Sequence, residues 1–384
     1  MKRKLRVAII GPYPRDEGKS MGGVESVTEA LADGLARVDG VEAHALTCVK
    51  GLKSVVTRKT SAGTYVHLIP LFDTFGCLTK FFIDAPRIQR ELRRIDPDIV
   101  HVQSQMLYAH AALEREWPSV LTIHGIRFRE AKMERGYKGL QHRYAIRYEL
   151  DAVRRARNVI CLNKYSRDAY GDLLSKARIR FIDNPIDDVF FGIENREEPG
   201  RILLLAAVRR LKGIEYLIEA AAILRDEGVP VDVHCFGPTP DEDYCCEMNA
   251  LIARLRLSDL VHLRPRASKD EVVKEYAKAS VVVLPSLIEN APMVISEAMA
   301  AGKPVVATPA GGIPDMVDDG KTGFIVPMRD AVALAKAIGT LIRDSDLRVR
   351  LGAASKEVAE KRFRRFAVVD KTLEFYREIL GERK

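Results

Sequence analysis

The chain is expected to be an α/β protein of two Rossmann-like, doubly wound domains facing each other across a cleft. Three observations predict this. Strand and helix patterns alternate on both sides of a polar segment at 188–200, which contains Pro199-Gly200. Several predicted strands are apolar throughout, as in Val7-Ala8-Ile9-Ile10, Ile202–Val208 and Val281–Leu284, as parallel strands covered on both faces require. The chain has 384 residues, enough for two domains. The boundaries read as 1–187 for a first domain, 188–200 for a linker, 201–362 for a second domain and 363–384 for a terminal helix.

In chain order, residues 5–11 read as the first strand. The loop after it carries Gly22-Gly23 before a helix that runs through Arg37. Glycines at a helix N-terminus expose backbone N–H groups and the positive end of the helix dipole, an arrangement that holds phosphate. The spacing is not GxGxxG, which disfavours a dinucleotide cofactor. Strands follow at 42–49, 64–70 and 99–103, and helices at 78–95 and about 106–115. Residues 120–125 form a strand ending at His124, and catalytic groups in doubly wound folds sit at such carboxyl ends. A strand at 158–163, a helix from Ser166 and the run Ile179–Asp187 complete the first half.

The second half opens with strand 202–208. Arg209-Arg210-Leu211-Lys212-Gly213 then leads into a helix near Ile214. Strands at 231–238 and 260–263 flank a helix at 244–256. Asp241-Glu242-Asp243 reads as a solvated acidic loop, not a metal site. Ser268 is placed to cap a helix through Ala279. The strand Val281–Ser286 precedes Glu289-Asn290-Ala291-Pro292-Met293-Val294-Ile295-Ser296-Glu297. Asn290 suits an N-cap and Pro292 the first turn of a helix that closes at Gly302. If the intervening residues are helical, the two glutamates stand roughly 12 Å apart at about 1.5 Å per residue. That is about the span from one sugar to the other across a pyrophosphate. Strands at 304–308 and 324–326 and helices at 330–345 and 346–362 follow. The last helix, 366–382, carries Phe366, Val369, Leu373 and Tyr376 at helical spacing.

Glu289-x7-Glu297, Gly302-Lys303-Pro304, Gly311-Gly312-Ile313-Pro314-Asp315 and Gly320-Lys321-Thr322-Gly323 together resemble family 4 of the retaining glycosyltransferases (group 1), which have the GT-B fold. Weaker matches extend this over nearly the whole chain: Asp96-Pro97-Asp98 before His101, the Thr122-x-His124-Gly125 context, Asn184-Pro185 and Lys212-Gly213. The resemblance implies transfer of a sugar from a UDP- or GDP-sugar to a hydroxyl of a glycan, lipid or small-molecule acceptor, a lipid-linked or cell-surface glycan precursor, with retained configuration and without a cofactor or metal. It makes 1–187 the acceptor-side domain, 201–362 the nucleotide-sugar-binding domain and 363–384 a helix that crosses back to the first domain. Glu289 and His124 would face the donor sugar. Lys212 would neutralise the diphosphate and Glu297 would bind the ribose. Gly22, Gly23, Asn290, Ala291, Pro292, Met293 and Val294 would line the donor. The family's frequent arginine falls on Ala207 here, and Arg209 or Arg210 would supply that charge. A nucleotide-sugar epimerase of the same fold and a non-catalytic protein that binds nucleotide sugar or membrane are the two other readings.

The net charge of +8 admits nucleic acid, an anionic membrane or an anionic substrate. No nucleic-acid motif accompanies it, and nucleic acid is not expected as a partner. Ten Lys/Arg against four acids between Arg127 and Arg157, together with Arg87, Arg90, Arg93 and Arg94 behind Phe81-Phe82-Ile83, suggest an anionic membrane surface or a lipid-linked or phosphorylated acceptor. Six cysteines without CxxC or Cys/His zinc spacing and a first apolar stretch too short for a signal-peptide core predict reduced thiols and a cytoplasmic location, peripheral to the membrane if attached at all.

Overall fold

The computed structural model describes residues 3–20, 22–72, 81–113, 115–131 and 137–381, with only the backbone for 137–142. Two compact α/β units result. Met1–Ile186 and Arg365–Lys384 make one, and Asp187–Arg364 the other.

The N-terminal unit is an eight-stranded sheet. Its strands are β1 (Leu5–Ile10), β2 (Val41–Val49), β3 (Val56–Lys59), β4 (Tyr65–Pro70), β5 (Ile99–Val102), β6 (Ser119–Ile123), β7 (Asn158–Cys161) and β8 (Arg178–Phe181), in the order β3-β4-β2-β1-β5-β6-β7-β8. All neighbours pair parallel except β3 with β4. The unbroken apolar run of β1 has a simple cause. Val7 and Ile9 face one core, Ala8 and Ile10 the other, and all four are fully buried. The helix Arg365–Ile379 belongs to this unit. Val368, Val369, Leu373, Phe375 and Tyr376 enter the same core as Val7 and Ile9. Phe366, expected on the buried stripe, is 46% exposed.

The C-terminal unit is a six-stranded, all-parallel sheet of β9 (Arg201–Leu205), β10 (Asp232–Phe236), β11 (Val261–Arg264), β12 (Val281–Leu284), β13 (Val305–Ala307) and β14 (Gly323–Ile325), ordered β11-β10-β9-β12-β13-β14. The segment expected as a linker folds with this unit. Asp188–Gly192 is a 3-10 turn that buries Phe190 and Phe191, and Arg196 and Glu198 donate backbone hydrogen bonds to Ala277 and Lys278.

Local signals behaved unevenly. Ser268 caps helix Lys269–Lys278 with a full capping box to Glu271. Asp241 is no free loop carboxylate, because it caps helix Glu242–Arg254 by accepting from the Tyr244 amide. The helix Ala85–Ile95 begins later than the expected 78, and residues 73–80 lie outside the described ones. The helices Arg127–Glu130 and Tyr137–Arg155, and strand β3, were not assigned as separate elements from sequence.

Candidate functional site

In doubly wound sheets, ligands lie beyond the carboxyl ends of strands where the strand order reverses. In the C-terminal unit that point falls between β9 and β12, which pair directly. The chain leaving β9 delivers Arg209, Arg210 and Lys212. The chain leaving β12 delivers Ser286 and Glu289. Two features lock these segments together. The Leu287 amide donates to the Leu211 carbonyl at 2.8 Å. Gly213 sits at φ +60°, and a Cβ there would lie 2.2 Å from the Pro285 carbonyl oxygen. Only glycine allows that approach without displacing the backbone.

Lys212 and Glu289 therefore meet. The ammonium donates to Glu289 Oε1 at 2.5 Å, and Ser286 Oγ donates to the same oxygen at 2.7 Å. The Glu289 side chain is 9% exposed and that of Lys212 25%. The pair is nearly dry on the carboxylate side and open on the ammonium side, so an anion can reach the lysine. Arg210 is held outside this cluster. It pairs with Glu247 and lies 5.0 Å from the centre of the Tyr244 ring.

Glu297 stands on helix Met293–Ala300. Its carboxylate accepts from Tyr276 Oη at 2.9 Å, and that hydroxyl also reaches the Val294 carbonyl at 3.1 Å. Burial pushes the Glu297 carboxyl up to about 7, against the lowering effect of the Tyr276 hydrogen bond and of Lys269. The local geometry differs from expectation in one respect. Pro292, not Asn290, occupies the N-cap, and no side chain caps this helix. Asn290 is buried in the preceding loop. Glu289 thus lies outside the helix, and the helical rise does not set its distance from Glu297. Ala291, Pro292, Met293 and Val294 are half-buried around the uncapped helix start.

In the N-terminal unit the order reverses between β1 and β5. Helix Gly23–Ala36 starts there without a side-chain cap, and nothing within 4 Å would touch a Cβ at Gly22. Packing alone does not demand glycine at that position. His124 follows β6 directly. Its Nε2 is hydrogen-bonded to Gln103 Oε1. Loss of water around the ring pushes its pKa down to about 4, so the imidazole is neutral at physiological pH. The turn after it is supported from below. Gln105 Nε2 donates to the Gly125 carbonyl at 2.9 Å, and buried Glu149 accepts from the Arg127 amide and from Tyr170 Oη. A pocket of about 580 Å³ lies at the same end of the sheet, with the cations Arg15, Lys19 and Lys50 and the carboxylates Asp16 and Glu25 on its wall.

Sequence reasoning missed Ser286, Tyr276, Gln103 and Glu149. Tyr276, Gln103 and Glu149 carry no local signal, because each acts on a partner about twenty residues away or more; Ser286 acts on Glu289 three residues on, within the loop after β12. The basic surface is also less free than composition suggested. Arg93 is paired with Glu116, Arg94 with Glu91, and Arg87 with Asp84 and the face of Phe72. Phe81 is buried, whereas Phe82 and Ile83 are exposed.

Among the described residues, Asp232, His234 and His262 have the composition of a metal site, with ligand atoms within 4.8 Å of one another. Their environment is that of an ionic network. Arg201 donates to Asp232 at 3.2 Å and Arg264 to His234 Nδ1 at 3.3 Å. A metal-bound imidazole donates through its second nitrogen, whereas here that nitrogen accepts from a guanidinium.

Two doubly wound units, one all parallel and one parallel but for an edge strand, with polar groups beyond the carboxyl ends of their strands, define the class of a two-domain GT-B protein. Models of two families together match most of the chain: "Glycosyltransferase Family 4" at residues 21–190 and "Glycosyl transferases group 1" at residues 186–358. The chain belongs to the family 4, group 1 glycosyltransferases. It is 35% identical over 164 residues to a D-inositol 3-phosphate glycosyltransferase of Streptomyces scabiei, a match covering 41% of this chain and 37% of that relative. An uncharacterized glycosyltransferase of Methanocaldococcus jannaschii is 26% identical over 84% of this chain and 90% of its own length. Among solved structures, a sucrose-phosphate synthase of Thermosynechococcus elongatus superposes with a TM-score of 0.80 at 21% identity, covering 99% of this chain and 100% of that one. HepE of Anabaena, solved with UDP-glucose, gives 0.72 at 20% identity over 96% and 98%. At these identities the structures speak to the fold alone.

Proposed function

We propose that this chain transfers a hexosyl group from a UDP- or GDP-sugar to an acceptor hydroxyl, with retention at the anomeric carbon. The observation that carries the reading is the Lys212–Glu289–Ser286 cluster at the reversal point of the C-terminal sheet, beside an uncapped helix N-terminus and Glu297. Breaking the anomeric C–O bond leaves negative charge on the nucleotide diphosphate. Lys212, Arg209 and the N–H groups at Met293 and Val294 stabilise that charge. These cations and dipoles make the step independent of a metal. Glu289, released from Lys212 as the diphosphate takes over that ammonium, faces positive charge developing on the sugar ring. Glu297 accepts from the ribose hydroxyls, and His124 from a hydroxyl of the transferred sugar. The acceptor oxygen forms the new bond to the anomeric carbon on the face the diphosphate leaves, and its proton passes to a diphosphate oxygen.

The acceptor is a phosphorylated or lipid-linked hydroxyl compound. The pocket in which Arg15, Lys19 and Lys50 outnumber Asp16 and Glu25 supports the anionic class. Exposed Phe72, Phe82 and Ile83 beside Arg87 and Arg90 support contact of the N-terminal unit with an anionic membrane face. The experiment is a product screen with UDP-GlcNAc, UDP-glucose and GDP-mannose, with and without acceptors. Release of nucleotide diphosphate by the wild type, lost in Glu289→Gln and Lys212→Ala, is the expected result. An altered sugar epimer formed without acceptor would establish the epimerase reading instead. Wild-type biological function retained by Glu289→Gln would establish the non-catalytic one.

A further inference from the structure

Three residues at the carboxyl ends of neighbouring strands form one hydrogen-bonded chain, buried at His101 and Gln103 and half-buried at His124. His101 lies on β5, Gln103 just after it, and His124 just after β6. His101 Nδ1 meets Tyr376 Oη at 2.6 Å and its Nε2 meets Thr122 Oγ1 at 2.6 Å. Gln103 Nε2 reaches His101 Nε2 at 3.2 Å, and Gln103 Oε1 faces His124 Nε2. Gln103 and His101 are each 1% exposed.

The donor and acceptor inventory sets the protons. An amide nitrogen only donates, so His101 Nε2 is an acceptor and its proton sits on Nδ1. An amide oxygen only accepts, so His124 Nε2 must carry the proton. His124 Nδ1 is then a bare lone pair, with no hydrogen-bond partner among the described residues. Burial holds His101 at about 3, so it does not supply a second proton at neutral pH. The seat of Gln103 is itself built. Its backbone N–H donates to the Ile10 carbonyl at 2.8 Å, and a Cβ at Gly11 would lie 2.7 Å from Gln103 Cβ. Any larger residue at position 11 would push Gln103 away from His124.

We infer that Gln103 is a positioning residue that holds His124 in the Nε2–H tautomer, so that Nδ1 accepts a hydrogen bond from a substrate hydroxyl. The consequence for a ligand rests on the glycosyltransferase reading above, but the tautomer does not. The ligand group that meets His124 must be a hydrogen-bond donor, as a hydroxyl is; a fluorine or carbonyl in its place finds no donor at Nδ1. The C-terminal helix takes part through Tyr376, which anchors the far end of the chain of bonds.

The test uses the full-length protein and two near-isosteric variants, Gln103→Met and Gln103→Glu. Ring ¹⁵N shifts of His124, assigned by their loss in His124→Ala, report the tautomer without any ligand. The expected pattern is Nε2–H in the wild type, Nε2–H with a raised protonation midpoint in Gln103→Glu, and a tautomer mixture in Gln103→Met. With the best donor from the screen, kcat/KM should fall about three- to tenfold in Gln103→Met, the worth of one neutral hydrogen bond. Gln103→Glu should recover part of it above the new midpoint. Nδ1–H in the wild type, or an unchanged tautomer in Gln103→Met, would overturn the inference even if transfer activity is found. If the tautomer pattern holds but no nucleotide sugar is turned over, the functional reading fails and the positioning role stands.

Discussion

Replacing Lys212 with methionine should destabilise the C-terminal unit more than replacing Glu289 with glutamine, although both changes break the same ion pair. The reason lies in unequal burial. Glu289 is 9% exposed at its side chain and Lys212 25%. Lys212→Met strands a nearly dry carboxylate that keeps only the Ser286 hydroxyl, a loss of about 1–3 kcal/mol. Glu289→Gln keeps an acceptor for Ser286 and leaves an ammonium that water can reach, a loss below about 1 kcal/mol. The double variant removes the stranded charge, so its loss should fall short of the sum of the singles by about 0.5–3 kcal/mol. Urea unfolding followed by far-UV circular dichroism measures all four proteins. Trp117, the single tryptophan of the chain, lies in the N-terminal unit and gives that unit a separate fluorescence signal. Additive single effects, or a larger loss from Glu289→Gln than from Lys212→Met, would refute the claim that the two side chains form one preassembled pair.

Further outcomes follow from the same geometry. Because the Glu297 carboxyl is raised to about 7 by burial, its carboxylate is lost as pH falls through that value. Nucleotide affinity, measured by calorimetry, should be flat above pH 7 and fall by up to about tenfold per unit below it. Tyr276→Phe removes a hydrogen bond to the carboxylate and should move that break to higher pH; a pH-independent affinity would contradict the role given to Glu297. Gly213→Ala should lower the unfolding free energy by at least about 1–2 kcal/mol, from the left-handed backbone alone, and should depress turnover as well. Unaltered stability would show that the turn before helix Ile214–Asp226 is not held as described. In co-sedimentation, the protein should favour anionic over neutral vesicles and Phe82→Ser should weaken the binding; equal binding to both vesicle types would remove the membrane contact.

The order of strands and helices was largely legible because each central strand announces itself twice, by an apolar run and by the turn residues that end it. β9 and β12 are of this kind, and so is the Ser268 cap, whose partner Glu271 lies three residues on. β3 was not legible: Val56-Thr57-Arg58-Lys59 is mostly exposed and pairs only with β4 at the sheet edge, so no burial pattern marks it. The helix start at Met293 was misplaced because Asn290 and Pro292 both carry start signals, and packing in the loop decided between them. Phe366 shows the same limit, since a helical stripe does not say where the core ends. The groups that tune the site lay beyond sequence altogether. Tyr276 reaches Glu297 from another helix, and Gln103 reaches His124 from another strand end. Such pairings exist only once the sheet has set its strand order.

The most direct measurement is a calorimetric titration of UDP-glucose, UDP-GlcNAc and GDP-mannose into the wild type and into Glu297→Ala, Lys212→Ala and Glu289→Gln. Saturable binding of at least one donor by the wild type, abolished or weakened at least tenfold in Glu297→Ala and Lys212→Ala, is the result this account requires. Binding of every donor by Glu297→Ala and Lys212→Ala as tightly as by the wild type would contradict it.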